Sequence, residues 1–326
     1  MTPARTNRTP PPWMVWAALW VVYIVWGSTY LAIRVMVRTL PPLLSAGGRF
    51  VLAGAILWTF LAIRRGWSHM RIDKRQLGAS ALVGAALLFG GNGLVQLAEE
   101  RGAPSSLAAL LIASVPLWVI LFRRLTRERI SGGTLAGLAI GFSGVALLVL
   151  PGNRPAGADS LAVGMLLAAS AFWAAGSFFS KSLPLPRDPF VSTATQMLTG
   201  GTVLVIAGLV SGESFAGAEL TAPSVAAFAY LVAFGSLLAF TAYVWLLQNA
   251  PISKVATYAY VNPVVAIFLG WAILSERITL VTLAGAAIIV ASVAFIVRKE
   301  TGAAPVSDEV AEDRVDLVRP EVAAVG

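Results

Sequence analysis

The stretch LGASALVGAALLFGGNGLVQLA, residues 77–98, decides the fold class because it holds no charged residue. An apolar run of about 20 residues is long enough to cross a bilayer as a helix. Similar runs fill the chain and are separated by short polar segments. The whole sequence is 57% hydrophobic and 12% charged, whereas a soluble domain is about 25% charged. These features predict an all-α, polytopic integral membrane protein.

We predict ten transmembrane helices, each close to the ~20 residues that a bilayer requires. The polar segments between the apolar runs set their limits. The predicted spans are residues 13–33, 42–63, 77–98, 104–122, 131–150, 160–182, 189–210, 223–247, 252–274 and 279–297.

The distribution of basic residues predicts the orientation. The formal net charge is +8, and cytoplasmic loops of membrane proteins are enriched in Lys and Arg. If the N-terminus is cytoplasmic, most basic residues near the spans lie on the cytoplasmic side, and nucleic acid is not an expected partner. The outer segments then hold only Arg34, Arg38, Arg101, Arg154 and Arg277. Both termini are therefore predicted to be cytoplasmic, which requires an even number of spans.

The composition also excludes several kinds of site. The sequence contains no cysteine, and its single histidine, His69, lies in a basic loop. Disulfides, thiolate metal sites and histidine clusters are therefore excluded, and we expect neither a metal nor a cofactor. An intramembrane enzyme would need paired carboxylates, or a serine with a nearby base. The predicted spans offer neither arrangement at mid-depth, so we expect no enzymatic activity.

An internal repeat runs through the chain at an offset of 147 residues, as 173 − 26 for Trp173 and Trp26 shows. One inserted residue later, the tripeptide Glu128-Arg129-Ile130 matches Glu276-Arg277-Ile278. Further pairs at the offset of 147 are Pro42 and Pro189, Gly54 and Gly201, Ala103-Pro104 and Ala250-Pro251, and Pro116 and Pro263. The chain is therefore two copies of one unit.

Each copy contains five predicted spans, so the second copy enters the membrane from the opposite side. Inverted repeats of this kind are typical of secondary transporters. The predicted organisation is a cytoplasmic N-terminal segment at 1–12, a first repeat at 13–150, an outer linker at 151–159, a second repeat at 160–297 and a disordered cytoplasmic tail at 298–326. The tail is rich in acidic and small residues that build no core.

Polar and helix-bending residues occur near the middle of three predicted spans. Asn92 follows two glycines in the third span, and Asn262 precedes Pro263 in the ninth. Pro116 and Pro263 are repeat mates, and proline removes a backbone hydrogen bond and bends a helix. We predict two bends facing each other, with Asn92 and Asn262 lining a substrate site between the repeats. Alternatively, glycine permits close helix packing and asparagine bonds a neighbouring helix.

Aromatic residues within the spans suggest the walls of that site. We assign Trp26, Tyr30, Trp173 and Tyr258 to substrate binding. A cavity lined with such rings suits apolar, aromatic or cationic substrates. The alternative is that these rings pack against lipid or lie at the membrane interface.

Arg49 is the one charge that lies well inside a predicted span. Such a charge is costly and marks a functional site. Glu99 ends the third span on the same side, so we expect an Arg49–Glu99 ion pair that acts as a gate or binds a substrate carboxylate. A purely structural ion pair is the alternative. Proton coupling would have to use Glu99, Glu100 or the substrate, and facilitated diffusion or exchange is equally compatible.

The order of these motifs resembles the EamA domain, and the chain from about residue 15 to 297 resembles the drug/metabolite transporter superfamily, most closely its YedA-type branch. The matching segments include Trp26-Gly27-Ser28-Thr29-Tyr30, Gly91-Asn92-Gly93, Val115-Pro116-Leu117 and Tyr258-Ala259-Tyr260-Val261-Asn262-Pro263-Val264. The resemblance implies ten helices in two inverted repeats around a central cavity, with both termini cytoplasmic. It also implies export of amino acids, related metabolites or drugs.

The sequence thus predicts a secondary transporter that exports a small metabolite or amphipathic drug across a bacterial inner membrane by alternating access. Its expected partners are a small-molecule substrate and the lipid bilayer. The sequence does not decide between a monomer and a homodimer. The alternative function is that of a lipid flippase or scramblase. The sequence names neither the substrate nor the energy source.

Overall fold

The computed structural model describes residues 10–150, 158–255 and 257–302, and all regular structure in these ranges is helical. The terminal residues 1–9 and 303–326, and residues 151–157 of the predicted linker, lie outside the described residues. The long helices are α1 Pro12–Met36, α2 Pro42–Arg65, α3 Lys74–Glu100, α4 Ser105–Leu125, α5 Gly132–Val149, α6 Ser160–Ser182, α7 Pro189–Val210, α8 Ala222–Asn249, α9 Tyr258–Leu274 and α10 Leu280–Gly302.

Within the described residues, the eight helices α1 to α8 are long and apolar enough to cross a membrane. Two shorter apolar stretches, Val261–Leu274 in α9 and Leu280–Ile296 in α10, follow them. The predicted limits agree with the observed ones to within a few residues. The largest differences are at α9, which begins at Tyr258 rather than at 252, and at α10, which continues to Gly302 beyond the predicted end at 297.

Several of these helices are irregular near their middle. Wide π-helical turns occupy Val22–Trp26 in α1, Ala85–Gly93 in α3 and Leu231–Phe240 in α8. Subtracting the offset of 147 from 231–240 gives 84–93, so the wide turns of α3 and α8 are repeat mates. Wide turns of this kind often accompany functional sites because they leave the regular i→i+4 bonding pattern.

Helix packing respects the repeat. Helix α2 packs against its mate α7, and α5 packs against its mate α10. Helix α3 contacts α6 and α7, and its mate α8 contacts the corresponding α1 and α2. Helix α4 contacts α6, its mate α9 contacts α1, and α4 and α9 contact each other. Exchanging the two repeats therefore reproduces the contact pattern, as a pseudo-two-fold axis requires.

Small residues allow the mated helices to approach closely. A Cβ at Gly47 of α2 would lie 2.8 Å from the carbonyl oxygen of Gly201 in α7. In α5, a Cβ at Gly141 or Gly144 would collide with side chains of α10 at 2.6 Å and 2.8 Å. Without a hydrophobic driving force between helices in lipid, such close backbone packing stabilises the bundle.

The helix ends meet at two opposite ends of the bundle. At the first, Arg65 closes α2 and pairs with Asp188, which caps the start of α7 through the N–H of Phe190 at 2.8 Å. We call this the basic end. At the second, Glu213 after α7 accepts hydrogen bonds from the N–H groups of Leu43 and Leu44, at 3.1 and 2.8 Å, at the start of α2. We call this the opposite end.

Candidate functional site

A small cavity lies in the middle of the bundle between the repeats. Its walls come from α1, α2, α3, α4, α6, α8 and α9, including the wide turns of α3 and α8. The lining residues that the sequence predicted are Trp26, Tyr30, Arg49, Asn92, Trp173 and Tyr258. Thr29, Phe50, Gly91 and Phe240 also line it. The fold therefore brings most of the predicted site residues together around one space.

The central cavity is nearly closed in this structure. The volume open to the centre of a water molecule is about 50 Å³, and one water needs about 10–15 Å³ on the same measure. The space admits a few water molecules. We expect a larger substrate to occupy this site only after the surrounding helices move apart.

Four aromatic rings close the cavity on the side of the basic end. The mates Trp26 and Trp173 meet edge to face with ring centres 5.2 Å apart. Tyr243 lies 4.7 Å from Trp26 and 5.9 Å from Tyr258. Its hydroxyl contacts Ser177 Oγ at 2.7 Å and accepts a hydrogen bond from Trp173 Nε1 at 3.2 Å. We call Trp26, Trp173, Tyr243 and Tyr258 the aromatic cluster.

Tyr243 was not among the predicted site residues. In the sequence it is one of several aromatic residues in the eighth span, and its repeat mate is Gln96 rather than another ring. Only the packing of α8 beside α6 brings its hydroxyl to Trp173 and Ser177. Neither the repeat nor the spacing carried that information.

The polar wall of the cavity is built from α2 and α3. Arg49 Nη2 donates to Asn92 Oδ1 at 2.7 Å, and Gln96 Nε2 donates to the same oxygen at 2.9 Å. The Arg49 guanidinium also lies 4.2 Å from the ring centre of Phe50. The Nε and Nη1 atoms of Arg49 have no hydrogen-bond partner, although both are buried. This leaves a cationic group with spare donors at the cavity wall, suited to an anionic oxygen pair.

The expected ion pair between Arg49 and Glu99 is not formed. Arg49 bonds Asn92, and both carboxylate oxygens of Glu99 lack a hydrogen-bond partner. Asn92 and Glu99 are seven residues apart on α3, which is about two helical turns or 10.5 Å. The guanidinium therefore reaches the amide near mid-span and not the carboxylate at the helix end. Arg34 of α1 instead donates to the backbone carbonyl of Glu99.

Asn262 does not line the cavity, in contrast to the prediction. It is buried, with 3% of its surface exposed. With the amide nitrogen turned toward two carbonyl groups, it donates to Tyr23 at 2.9 Å and Tyr258 at 3.2 Å. Tyr23 lies in the wide turn of α1, and its carbonyl also accepts a backbone hydrogen bond from the N–H of Gly27. Asn262 thus ties α9 to α1, which is the alternative that the sequence left open.

The two mated prolines occupy different positions. Helix α4 is interrupted at Ala113 and Ser114, and its second half begins at Val115–Pro116, where the missing N–H of proline costs nothing. Pro263 instead lies inside the continuous helix α9. The ninth span is interrupted earlier, between the short turn Ile252–Val255 and Tyr258. The expected pair of facing bends is therefore replaced by two breaks at unequal depth.

At the opposite end, Glu276 fastens the end of α9 to the start of α4. Its carboxylate accepts hydrogen bonds from the N–H and hydroxyl of Ser105, both at 2.8 Å, and from the N–H and hydroxyl of Ser106, at 3.1 and 2.7 Å. A carboxylate at a helix N-terminus is further favoured by the helix dipole. We call this contact the Glu276 clasp.

At the basic end, the equivalent contact is absent from the described residues. Glu128, the mate of Glu276, accepts a hydrogen bond from Arg123 Nε at 2.7 Å. A cavity of about 590 Å³ is lined by both Glu128 and Ile252, and Ile252 is the mate of Ser105. A second cleft of about 590 Å³ opens nearby between the ends of α6 and α8. The bundle is thus fastened at the opposite end and open at the basic end.

The model of the EamA-like transporter family matches this chain twice, at residues 12–150 and 160–298. An Escherichia coli K12 protein named "Uncharacterized inner membrane transporter YedA" is 38% identical over 86% of this chain and 90% of its own length. A Salmonella typhimurium protein named "Probable amino-acid metabolite efflux pump" is 25% identical over 83% of this chain and 90% of its own length.

One solved crystal structure has the same fold, with a TM-score of 0.63 at 20% identity. The match covers 88% of this chain and 98% of the other. The matched family, the relatives and the apolar helices agree with one another. The chain belongs to the EamA-like transporter family and is a multi-pass inner-membrane transporter of the drug/metabolite transporter superfamily.

Proposed function

We propose that this protein exports a small amphipathic metabolite, such as an amino acid, by alternating access through the central cavity. The observation that carries the proposal is the unequal closure of two equivalent contacts, the Glu276 clasp and the open gap at Glu128. Two inverted repeats that exchange conformations would open one end while closing the other. In the described state the clefts then open at the basic end, the aromatic cluster separates them from the central cavity, and the opposite end is closed.

The proposed topology has ten spans, with α9 and α10 as the ninth and tenth. The basic end then faces the cytoplasm, as Lys and Arg enrichment requires. Residues 13–150 and 160–297 act as the two moving repeats, joined by an outer linker at 151–159. The cytoplasmic clefts admit the substrate, and release occurs when the Glu276 clasp opens.

The chemistry of the cavity supports an amphipathic substrate with a carboxylate. The unpartnered donors of Arg49 would bind the carboxylate, with Asn92 orienting the guanidinium. The aromatic cluster would contact the apolar part and move aside as the substrate enters. The metabolite-efflux name of one relative is consistent with this substrate class.

Solute counterflow in proteoliposomes tests the proposal. The panel contains the labelled amino acids and one lipophilic cation, tetraphenylphosphonium. We expect saturable counterflow of at least one amino acid, lost in Asn92→Ala because Arg49 loses its orienting partner. The matched control is Ser143→Ala, because the Ser143 hydroxyl bonds only its own helix, at the Ile140 carbonyl, on an exposed face of α5.

Two results would contradict the proposal. The first is folded wild-type protein that gives no counterflow for the whole panel. The second is full activity in Asn92→Ala. Translocation of a fluorescent lipid in the same vesicles, without solute counterflow, would favour the flippase or scramblase alternative.

A further inference from the structure

Glu99 is a fully buried carboxyl group that does not line the central cavity. Its relative exposure is 0%, and neither carboxylate oxygen has a hydrogen-bond partner. An ionised carboxylate in such a place costs far more free energy than a neutral acid, because nothing replaces the lost water. The described arrangement therefore accommodates Glu99 with a proton bound.

The charged and titratable groups around Glu99 come from several elements. Tyr30 and Arg34 of α1 and Glu276 beyond α9 lie close enough to act on it electrostatically. The part of α4 that meets this region contributes the uncharged Ser105 and Ser106. The remaining groups on the packed elements are Arg49 on α2, Glu100 and Arg101 on the end of α3 itself, and Asp159 at the start of α6, which pairs with Arg101.

Arg34 does not neutralise the Glu99 carboxylate in this state. Its Nη1 atom donates to the backbone carbonyl of Glu99, and no ion pair joins the two side chains. The guanidinium is nevertheless at hand. Arg34 also acts electrostatically on the Glu99 carboxylate, so it is the cation available to an ionised Glu99 in a second arrangement.

Glu99 lies between the central cavity and the Glu276 clasp. Asn92, Gln96 and Glu99 follow one another at i, i+4 and i+7 on one face of α3. Gln96 is also fully buried, donates to Asn92 and has an unpartnered Oε1. This polar row leads from the substrate cavity toward the end of α3, where Glu276 acts on Glu99 from the other side.

We propose that Glu99 is a proton-binding site that couples export to the proton gradient, one proton entering the cell for each substrate that leaves. Opening of the Glu276 clasp exposes Glu99 to the outer solution, where its carboxylate takes up a proton and becomes a neutral acid. The neutral acid is buried again as the clasp closes. Substrate binding at Arg49 and Asn92 then frees the Gln96 amide to hydrogen-bond Glu99, and the proton leaves toward the cytoplasmic cleft.

This inference rests on the proposed function, and the experiment separates the two. The probe is the labelled amino acid that gives the fastest wild-type counterflow in the panel above. One unit of pH difference across the vesicle wall should drive about tenfold accumulation at one-to-one coupling, since one pH unit corresponds to 1.36 kcal/mol. We expect Glu99→Gln to keep counterflow and to lose this accumulation. Glu100→Gln, the exposed neighbour, should keep both.

A second measurement uses only the wild type and so does not depend on folding of the variant. Adding the same amino acid to detergent-solubilised protein in weak buffer should release about one proton per chain. Counterflow without accumulation in a pH gradient, or without proton release, would overturn the coupling and leave the transporter standing. Absence of counterflow for every solute would instead overturn the proposed function itself.

Discussion

The two ends of the bundle carry the same tripeptide and hold it differently. At the opposite end, Glu276 of Glu276-Arg277-Ile278 accepts four hydrogen bonds from Ser105 and Ser106. At the basic end, Glu128 of Glu128-Arg129-Ile130 bonds Arg123 of its own helix and faces a cavity. Even the backbone matches, because Arg127 and Ser275, which precede the two glutamates, both have positive φ, at 64° and 54°. Equivalent residues thus take unequal partners.

The comparison shows that the repeat defines two equivalent contacts, one at each end of the bundle. Among the described residues, the contact at the opposite end is made and its equivalent at the basic end is not. The mate of Ser105 is Ile252, which has no hydroxyl to donate. A contact of Glu128 with the start of the short turn at Ile252 would therefore rest on fewer donors than the Glu276 clasp.

Breaking the Glu276 clasp should have the largest effect. Glu276→Ala removes four hydrogen bonds, and a bond to a charged group contributes about 1.5–3 kcal/mol. Losing even one such bond raises the open population by about tenfold or more. The natural chain has no cysteine, so a single cysteine placed at the buried Ala103 reports opening through its rate of labelling by an impermeant maleimide. Glu128→Ala in the same background is the control and should leave the rate unchanged or lower.

A second comparison concerns Asn92 and Asn262, the two asparagines that the sequence predicted to line the substrate site. Asn262→Ala removes the side-chain hydrogen bonds to the carbonyl groups of Tyr23 and Tyr258, each of which contributes about 1 kcal/mol net. We expect a lower unfolding temperature in detergent. Asn92→Ala leaves the buried donors of Arg49 and Gln96 without their acceptor, so we expect it both to lower the unfolding temperature and to lose counterflow. An Asn262→Ala protein with wild-type stability and no counterflow would return Asn262 to the substrate site.

The aromatic cluster gives a smaller effect. Tyr243→Phe keeps the ring and removes the hydroxyl that binds Ser177 and Trp173. A buried hydrogen bond contributes about 1 kcal/mol net. We expect a stability loss of that size in a chemical denaturation curve, together with faster labelling of a single cysteine placed at the buried Ala174. Unchanged labelling would show that the hydroxyl does not hold the cavity closed. Tyr230→Phe is the control because its hydroxyl bonds Ser28, outside the cluster.

The smallest effect concerns Asp188 at the basic end. Partial burial works to raise the pKa of Asp188, but hydrogen bonds from His69 and the Phe190 N–H and the charge of Arg65 outweigh it and hold the pKa below its usual value. Such a group stabilises the fold above the unfolded pKa of ~3.9, and this stabilisation is lost as pH falls through the folded pKa.

Asp188→Asn keeps the helix cap and loses the charge. At neutral pH we expect it to be about 0.5–1 kcal/mol less stable than wild type, because the ion pair is partly exposed. The difference should shrink in acid as the wild-type carboxylate is protonated. Asp73→Asn, at the capping box of α3, is the control without an ion pair. A difference that persists unchanged in acid would show that charge is not the cause.

Much of the architecture could be predicted because a membrane constrains the sequence strongly. Apolar length predicted the helices from α1 to α10, and a constant offset identified repeat mates such as Trp26 and Trp173. Arg49, Asn92 and Tyr258 were also predicted near one site, since polar groups and rings at mid-span have few places to lie. These inferences rest on the hydrophobicity and the spacing of the residues, which can be read directly from the sequence.

What the sequence did not predict depends on distances between helices. The partner of Arg49 is Asn92 and not Glu99, which is decided by two turns of α3. Asn262 turns to α1 because the packing of α9 brings its amide to the Tyr23 carbonyl in the wide turn there, and no residue pattern predicts that turn. The identical tripeptides at Glu128 and Glu276 carry no sign of which end is closed, because closure belongs to a conformational state.

The paired wide turns in α3 and α8 have a mechanical consequence. Each such turn stores surplus residues within a helix that otherwise bonds regularly. Moving that surplus along by one residue leaves the two flanking segments where they are. It turns only the residue that it passes, by about 100° around the helix axis and about 1.5 Å along it. Because the wide turns lie at equivalent positions in both halves and line the cavity, the same small shift can change which side chains face the cavity from both repeats, without unfolding either helix inside the lipid.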